Sequence, residues 1–114
     1  MYDMHKVIDI DRIKLRSVNK KYNRNFTLTA QYKVFKQILF YEIKKPKVEI
    51  KPPYVVHIYL ETYLDIDNPL KPILDVLEGS IINNDRYIEK LIIDKIPGKK
   101  GRDSSIKVFV GTLC

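Results

Sequence analysis

A single α+β domain over residues 1–114, a mixed β-sheet of about four strands with two helices in the order β-α-β-α-β-β, is the fold class this sequence predicts. Three observations predict it. Apolar residues make up 45% of the chain and are spread along its length, so one continuous core is expected, burying roughly two-thirds of the surface that the unfolded chain exposes. Two stretches carry apolar residues at helical spacing, while four others alternate or are rich in β-branched and aromatic residues. Proline and glycine at Pro46, Pro52, Pro53, Gly79, Pro97 and Gly98 fall between them.

Residues 6–16 alternate, with Ile8 and Ile10 on one side against Asp9 and Asp11, then change phase to Ile13 and Leu15 against Arg12, Lys14 and Arg16. This predicts a strand with a bulge or bend near Asp11. Residues 17–25, polar and basic around Tyr22, read as an exposed loop. Thr27 or Thr29 suits the cap of a helix running to about Lys45, with Val34, Phe35, Ile38, Leu39 and Tyr41 as its apolar stripe. After the prolines, residues 54–63 are β-branched and aromatic and read as a central strand. Asn68-Pro69 opens a short helix in which Leu70, Ile73, Leu74 and Leu77 follow i, i+3, i+4, i+7 spacing, ending near Gly79. Pro72 lacks an amide donor and is expected to distort the first turn. Residues 87–96 and 105–113 read as two strands, and the glycine-rich basic segment between them as a hairpin tip.

Charge narrows the function. The chain carries +7 overall with a pI near 9.4, which points to a phosphate-rich partner or an anionic membrane surface. No apolar run is long enough to cross a bilayer and the N-terminus lacks signal-peptide order, so a soluble, cytoplasmic protein is expected. The lone cysteine, Cys114, excludes an internal disulfide and a cysteine-based metal site, and His5 and His57 offer no zinc spacing. Nucleophilic Ser/His or Cys/His chemistry has no support, and there is no glycine-rich phosphate loop.

Against this basic background, residues 61–85 hold six carboxylates (Glu61, Asp65, Asp67, Asp75, Glu78, Asp85) and one base, Lys71. Their net of −5 leaves +12 on the rest of the chain. Acid concentrated inside a cationic surface suits an enzyme that holds a divalent metal while gripping a polyanion. Asp65 and Asp67 leave the same face if they extend the central strand. Asp67, Lys71 and Asp75 stack at i, i+4 spacing on the short helix, and Asp85 is expected to return to the same end of the sheet. Carboxylates converging there match a Mg²⁺ site, with Mn²⁺ as a substitute. Spacing alone also allows a plain structural account, in which Asp67 or Asn68 caps the helix, Lys71 and Asp75 form an ordinary ion pair and Asp85 starts a turn. Asp9-Ile10-Asp11 repeats the acidic tripeptide without the downstream Lys and Asp, and reads as a solvated strand face.

The extended pattern, Asp65, Asp67, Asn68, Lys71 and Asp75 followed by Asp85 ahead of the strand at Ile88, resembles the RusA family of Holliday junction resolvases, the crossover junction endodeoxyribonucleases. The likeness covers most of the chain, including the loop at 19–24 and the glycine and basic segment at 98–102. Two features depart from it: Asn84-Asp85 stands where the family often has paired acids, after a loop about one residue short, and Pro72 directly follows the lysine. The resemblance implies a RusA-like fold and a homodimeric, Mg²⁺-dependent endonuclease of DNA recombination and repair. Such an enzyme nicks opposing strands of a four-way junction, leaving 5′-phosphate and 3′-hydroxyl ends. It assigns Asp65, Asp67 and Asp85 as metal ligands and catalytic residues, Lys71 as the catalytic cation, and Asn68 and Asp75 as supporting groups. Lys20, Lys21, Tyr22, Arg24, Lys99, Lys100 and Arg102 are the DNA-binding candidates, with no small-molecule cofactor and no membrane partner expected. A nuclease preferring flaps or forks, a non-cutting branched-DNA binding protein and a basic RNA-binding protein are the alternatives. For the dimer surface, residues 54–63 and the apolar face of the first helix are the candidates.

Overall fold

The computed structural model of the protein describes residues 4–13, 30–63, 67–99 and 103–113. Its elements follow the expected order: β1 (Met4–Ile13), α1 (Ala30–Glu42), β2 (Tyr54–Thr62), α2 (Asp67–Leu77), a single 3-10 turn at Asp85–Tyr87, β3 (Ile88–Pro97) and β4 (Ser104–Thr112). The four strands form one sheet in the order β1-β4-β2-β3. β4 is antiparallel to both β1 and β2, whereas β3 runs parallel to β2. β1, β2 and β3 therefore point one way and β4 alone points back.

Two expectations fail on this topology. The segment after Pro97 is no hairpin tip, because β2 lies between β3 and β4, so this link must cross the end of β2. Gly98 makes the crossing possible: its N–H donates to the Thr62 carbonyl at 2.9 Å, and a Cβ at this position would sit 2.8 Å from the Thr62 carbonyl carbon and 2.9 Å from the Tyr63 nitrogen. Asp85, in turn, does not come back to the end of the sheet where β2 finishes. A parallel partner must start where β2 starts, and α2 carries the chain there.

The core lies between one face of the sheet and the two helices. Ile8, Ile10 and Ile13 of β1, Tyr54, Val56, Ile58 and Leu60 of β2, and Ile106, Val108 and Val110 of β4 pack against Phe35 and Leu39 of α1 and Ile73, Val76 and Leu77 of α2. The phase change expected near Asp11 appears as a register shift between Ile10 and Ile13, and a second shift between Lys6 and Ile8 buries Val7 as well. The core stripe of α1 is narrower than its sequence implies. Phe35 and Leu39 are buried, but Val34, Ile38 and Tyr41 face solvent, because the helix contributes one ridge to a sheet that α2 also covers. The helix stops at Glu42, and the Lys44 N–H turns to the Val7 carbonyl at 2.8 Å; its expected caps at Thr27 and Thr29 lie outside the described residues.

α2 runs as one helix from Asp67 to Leu77 with Pro72 inside it. Pro69 stands in that first turn, where a missing amide costs nothing, while Pro72 removes one i→i−4 bond further in. Burial compensates: Ile73 and Leu77 are fully buried and Leu70 and Leu74 pack at the margin. The helix ends as expected near Gly79, which takes φ +84, a left-handed conformation that residues with a Cβ rarely adopt.

Candidate functional site

The strand directions sort the chain's segments between two ends of the sheet. At one end lie the finish of β1 (Ile13), of β2 (Thr62) and of β3 (Pro97), and the start of β4 (Ser104). The basic segment at 14–29 follows Ile13 in the chain, the acidic segment at 63–67 follows Thr62, and the basic segment at 98–103 follows Pro97. Cationic and acidic segments remote in sequence are thus rooted together. Lys99 is exposed at this end. Lys20, Lys21, Tyr22, Arg24, Lys100 and Arg102 lie outside the described residues, as does Asp65.

The root of the acidic segment is firmly held. Thr62 is buried, and its Oγ1 accepts a hydrogen bond from Ser104 Oγ at 2.9 Å. Its carbonyl accepts the Gly98 N–H, so both neighbouring strands clamp the last residue of β2. α2 begins at Asp67, which places Asn68 inside the first turn rather than at the cap before it. One turn on, Lys71 is more than half exposed and its Nζ lies 3.6 Å from Asp75 Oδ1, the i, i+4 pair that the spacing anticipates.

Asp85 stands at the other end of the molecule. Asn84 caps its 3-10 turn, the side-chain oxygen accepting the Arg86 N–H at 3.0 Å. The Asn83 N–H donates to the hydroxyl of buried Tyr54 at 3.3 Å, tying the turn to the first residue of β2. Asn in place of a second acid at position 84 thus has a local structural role. β2 spans nine residues, and Ile88 pairs with Tyr54 at its start; a strand of this length extends about 26 Å, so Asp67 and Asp85 of one chain are on the order of 20 Å apart. Carboxylates sharing one Mg²⁺ bind it at about 2.1 Å. Among the described residues no group of three or more His, Cys, Asp or Glu is placed to hold a metal ion.

Asp9 and Asp11 behave as a strand face. Lys6 Nζ donates to Asp9 Oδ2 at 3.0 Å, and this ammonium holds the Asp9 carboxyl below the ordinary carboxylate range. Both acids are exposed, and among the described residues they belong to no metal-ligating group. The sequence reading missed Thr62, Ser104 and Gly98 as supports of the acidic segment. A glycine directly after a strand-ending proline was the available signal.

Acid flanked by basic segments at one end of a small mixed sheet is a layout for gripping and cutting a phosphodiester chain. The family model of endodeoxyribonuclease RusA matches residues 11–108, from β1 into β4. The chain belongs to the RusA endodeoxyribonuclease family, nucleases that resolve Holliday junctions in DNA recombination. No curated protein matches it. Among the described residues, no helix is long and apolar enough to cross a membrane.

Proposed function

We propose that the protein is a divalent-metal-dependent resolvase that cuts four-way DNA junctions as a homodimer, each site drawing Asp65 and Asp67 from one subunit and Asp85 from its partner. The observation that carries this reading is the parallel pairing of β2 with β3, which separates Asp85 from the acidic segment of its own chain. A second copy, related by a twofold axis, brings an Asp85 to each acidic segment.

The donor set fits the metal. Carboxylate oxygens are the hard ligands that Mg²⁺ and Mn²⁺ prefer, and few protein ligands leave room for water and phosphate. A bound divalent ion supplies an activated water and neutralises charge developing on the phosphate. Lys71 contributes a compact cation beside that phosphate, and Asp75, 3.6 Å from its Nζ, holds it in place. The basic segments at 14–29 and 98–103 bind the junction backbone, and cleavage leaves 5′-phosphate and 3′-hydroxyl ends.

Incubation with a synthetic mobile four-way junction and Mg²⁺, followed by mapping of the cuts, tests the proposal. Paired nicks at symmetric positions are expected. Asp65→Asn, Asp67→Asn and Asp85→Asn should each lower the rate by about 10² to 10³ or more, the scale for losing a preorganised electrostatic element, while junction binding persists. Asp9→Asn and Asp11→Asn should cut normally. A wild-type rate for Asp85→Asn would remove that residue from the site.

A further inference from the structure

The helices cover one face of the sheet, and the opposite face carries an aromatic cluster that belongs to neither the core nor the acidic segment. The strand pairing sets His57 of β2 beside Phe109 of β4, and Tyr59 of β2 beside Lys107 of β4 and Asp94 of β3. His57 Nε2 and Asp94 Oδ2 share a hydrogen bond of 2.5 Å. The imidazole held in this way stacks on Tyr59, with ring centres 4.2 Å and planes 22° apart, and Phe109 meets Tyr59 in an edge contact at 5.7 Å. Tyr59 nevertheless stays 41% exposed. A ring fixed by two others yet open to solvent has little rotamer freedom left to lose when a flat ligand stacks on it.

The pairing also shows where such a ligand would sit. His57 and Phe109 lie opposite each other, so both flank Tyr59 from the same side along the strands. Toward the other side opens a cavity of about 400 Å³ whose lining includes Tyr59, Glu61, Ile96, Ser105 and Lys107, a volume suited to a small planar ligand. Of the carboxylates on this face, Asp94 is engaged by His57 and Asp9 by Lys6. Glu61 is exposed and has no hydrogen-bond or ion partner among the described residues.

We propose that this cavity takes an unpaired nucleobase of the DNA substrate, guanine by preference, stacked on Tyr59 with its N1–H and N2–H donating to the two oxygens of Glu61. Stacking on an aromatic side chain with hydrogen bonds to the pairing edge is how proteins read unpaired bases. Guanine is the DNA base with two adjacent donors on that edge, which matches the two oxygens of one carboxylate. In a duplex the same donors are used by cytosine, so only an unpaired base can enter, and a branch point frees a base at lower cost than a continuous duplex does. Exposed Lys107 stands beside Tyr59 for the phosphate of the same nucleotide. The proposal rests on the reading of the chain as a branched-DNA nuclease and adds a specificity residue to it. Glu61 directly precedes Thr62, the root of the acidic segment, so the base bound here belongs to a nucleotide close to the cut.

The test is binding without metal, by fluorescence anisotropy, to short single-stranded oligonucleotides: thymine alone, thymine with one central guanine, and the same with hypoxanthine for guanine. The guanine oligonucleotide should bind on the order of tenfold tighter than thymine alone, and hypoxanthine, which lacks the N2 amino group, should lose that advantage. Glu61→Gln should erase the preference while leaving thymine binding in place. Tyr59→Leu should weaken guanine binding by about five- to a hundredfold, and Tyr59→Phe should retain it. Glu61 is exposed and glutamine has its shape, so that variant tests the slot whether or not Tyr59→Leu folds. Equal affinity for the three oligonucleotides, or a guanine preference that survives Glu61→Gln, would overturn the proposal. Guanine reading without junction cleavage would count against the nuclease reading alone, and cleavage without guanine reading against the slot alone.

Discussion

Two inactive variants should rescue each other. In Asp67→Asn every subunit keeps its Asp85, and in Asp85→Asn every subunit keeps its acidic segment. If each site is shared, a heterodimer of the two has one site with both lesions and one with none. Equal amounts reassorting freely give half heterodimers with one intact site in two, so about one quarter of wild-type nicking should return. The parents should sit 10² to 10³ below wild type, which makes the recovered signal about 25 to 250 times above either alone. The assay is nicking of an end-labelled junction after mixing, with heterodimer formation checked by co-purification through a tag on one variant. Since one site is intact, the product should be a single nick without paired resolution. The separation of about 20 Å across one subunit is the basis of this expectation. Confirmed heterodimers that nick no faster than the parents would show that one chain supplies all three acids and refute the shared site.

Gly98→Ala should perturb cleavage from outside the acidic cluster. Its Cβ would lie 2.8 Å from the Thr62 carbonyl carbon, so backbone must move, at roughly 1–3 kcal/mol by melting and about 10²-fold in single-turnover rate through the displaced acidic segment; an unchanged rate would sever that link. Gly79→Ala has open space around the added methyl and should cost only the strain of a left-handed alanine, about 1–2 kcal/mol, in the same melting measurement. Lys71→Ala should depress the single-turnover rate with little change in junction affinity, and Lys71→Arg should not fully restore it, because a planar fork cannot take the place of a compact ammonium; equal losses in rate and affinity would make Lys71 a simple phosphate contact. Junction affinity should fall by roughly 10³ to 10⁵ between 50 and 200 mM salt if six to ten phosphates are contacted, measured by titration without Mg²⁺.

Local pattern carried most of what the sequence could tell. The order of elements, the buried Ile8, Ile10 and Ile13, the α2 ridge and the Lys71–Asp75 pair all follow from spacing over a few residues, and the structure bears them out. What failed was pairing. Nothing in residues 88–97 says whether they lie beside residues 104–112 or residues 54–62, since all three segments are equally apolar and β-branched. The apparent hairpin and the expected return of Asp85 share this one error. The wide apolar stripe of α1 misled for a related reason: periodicity shows that a face is apolar without showing what remains to cover it, and Val34, Ile38 and Tyr41 are left exposed.

A shared site ties chemistry to assembly. In the proposed arrangement a lone subunit holds an acidic segment at one end and Asp85 at the other, and neither carboxylate set retains a divalent ion well alone. Both sites form in the same step, because a twofold axis that brings one Asp85 to its partner's acidic segment brings the other as well. A four-way junction needs two symmetric cuts, and a single unmatched nick would leave it unresolved. The parallel placement of β3 beside β2 is therefore more than a topological detail. By holding Asp85 away from the acidic segment within each chain, it would, in the proposed arrangement, leave the nuclease complete only in the dimer whose symmetry matches its substrate.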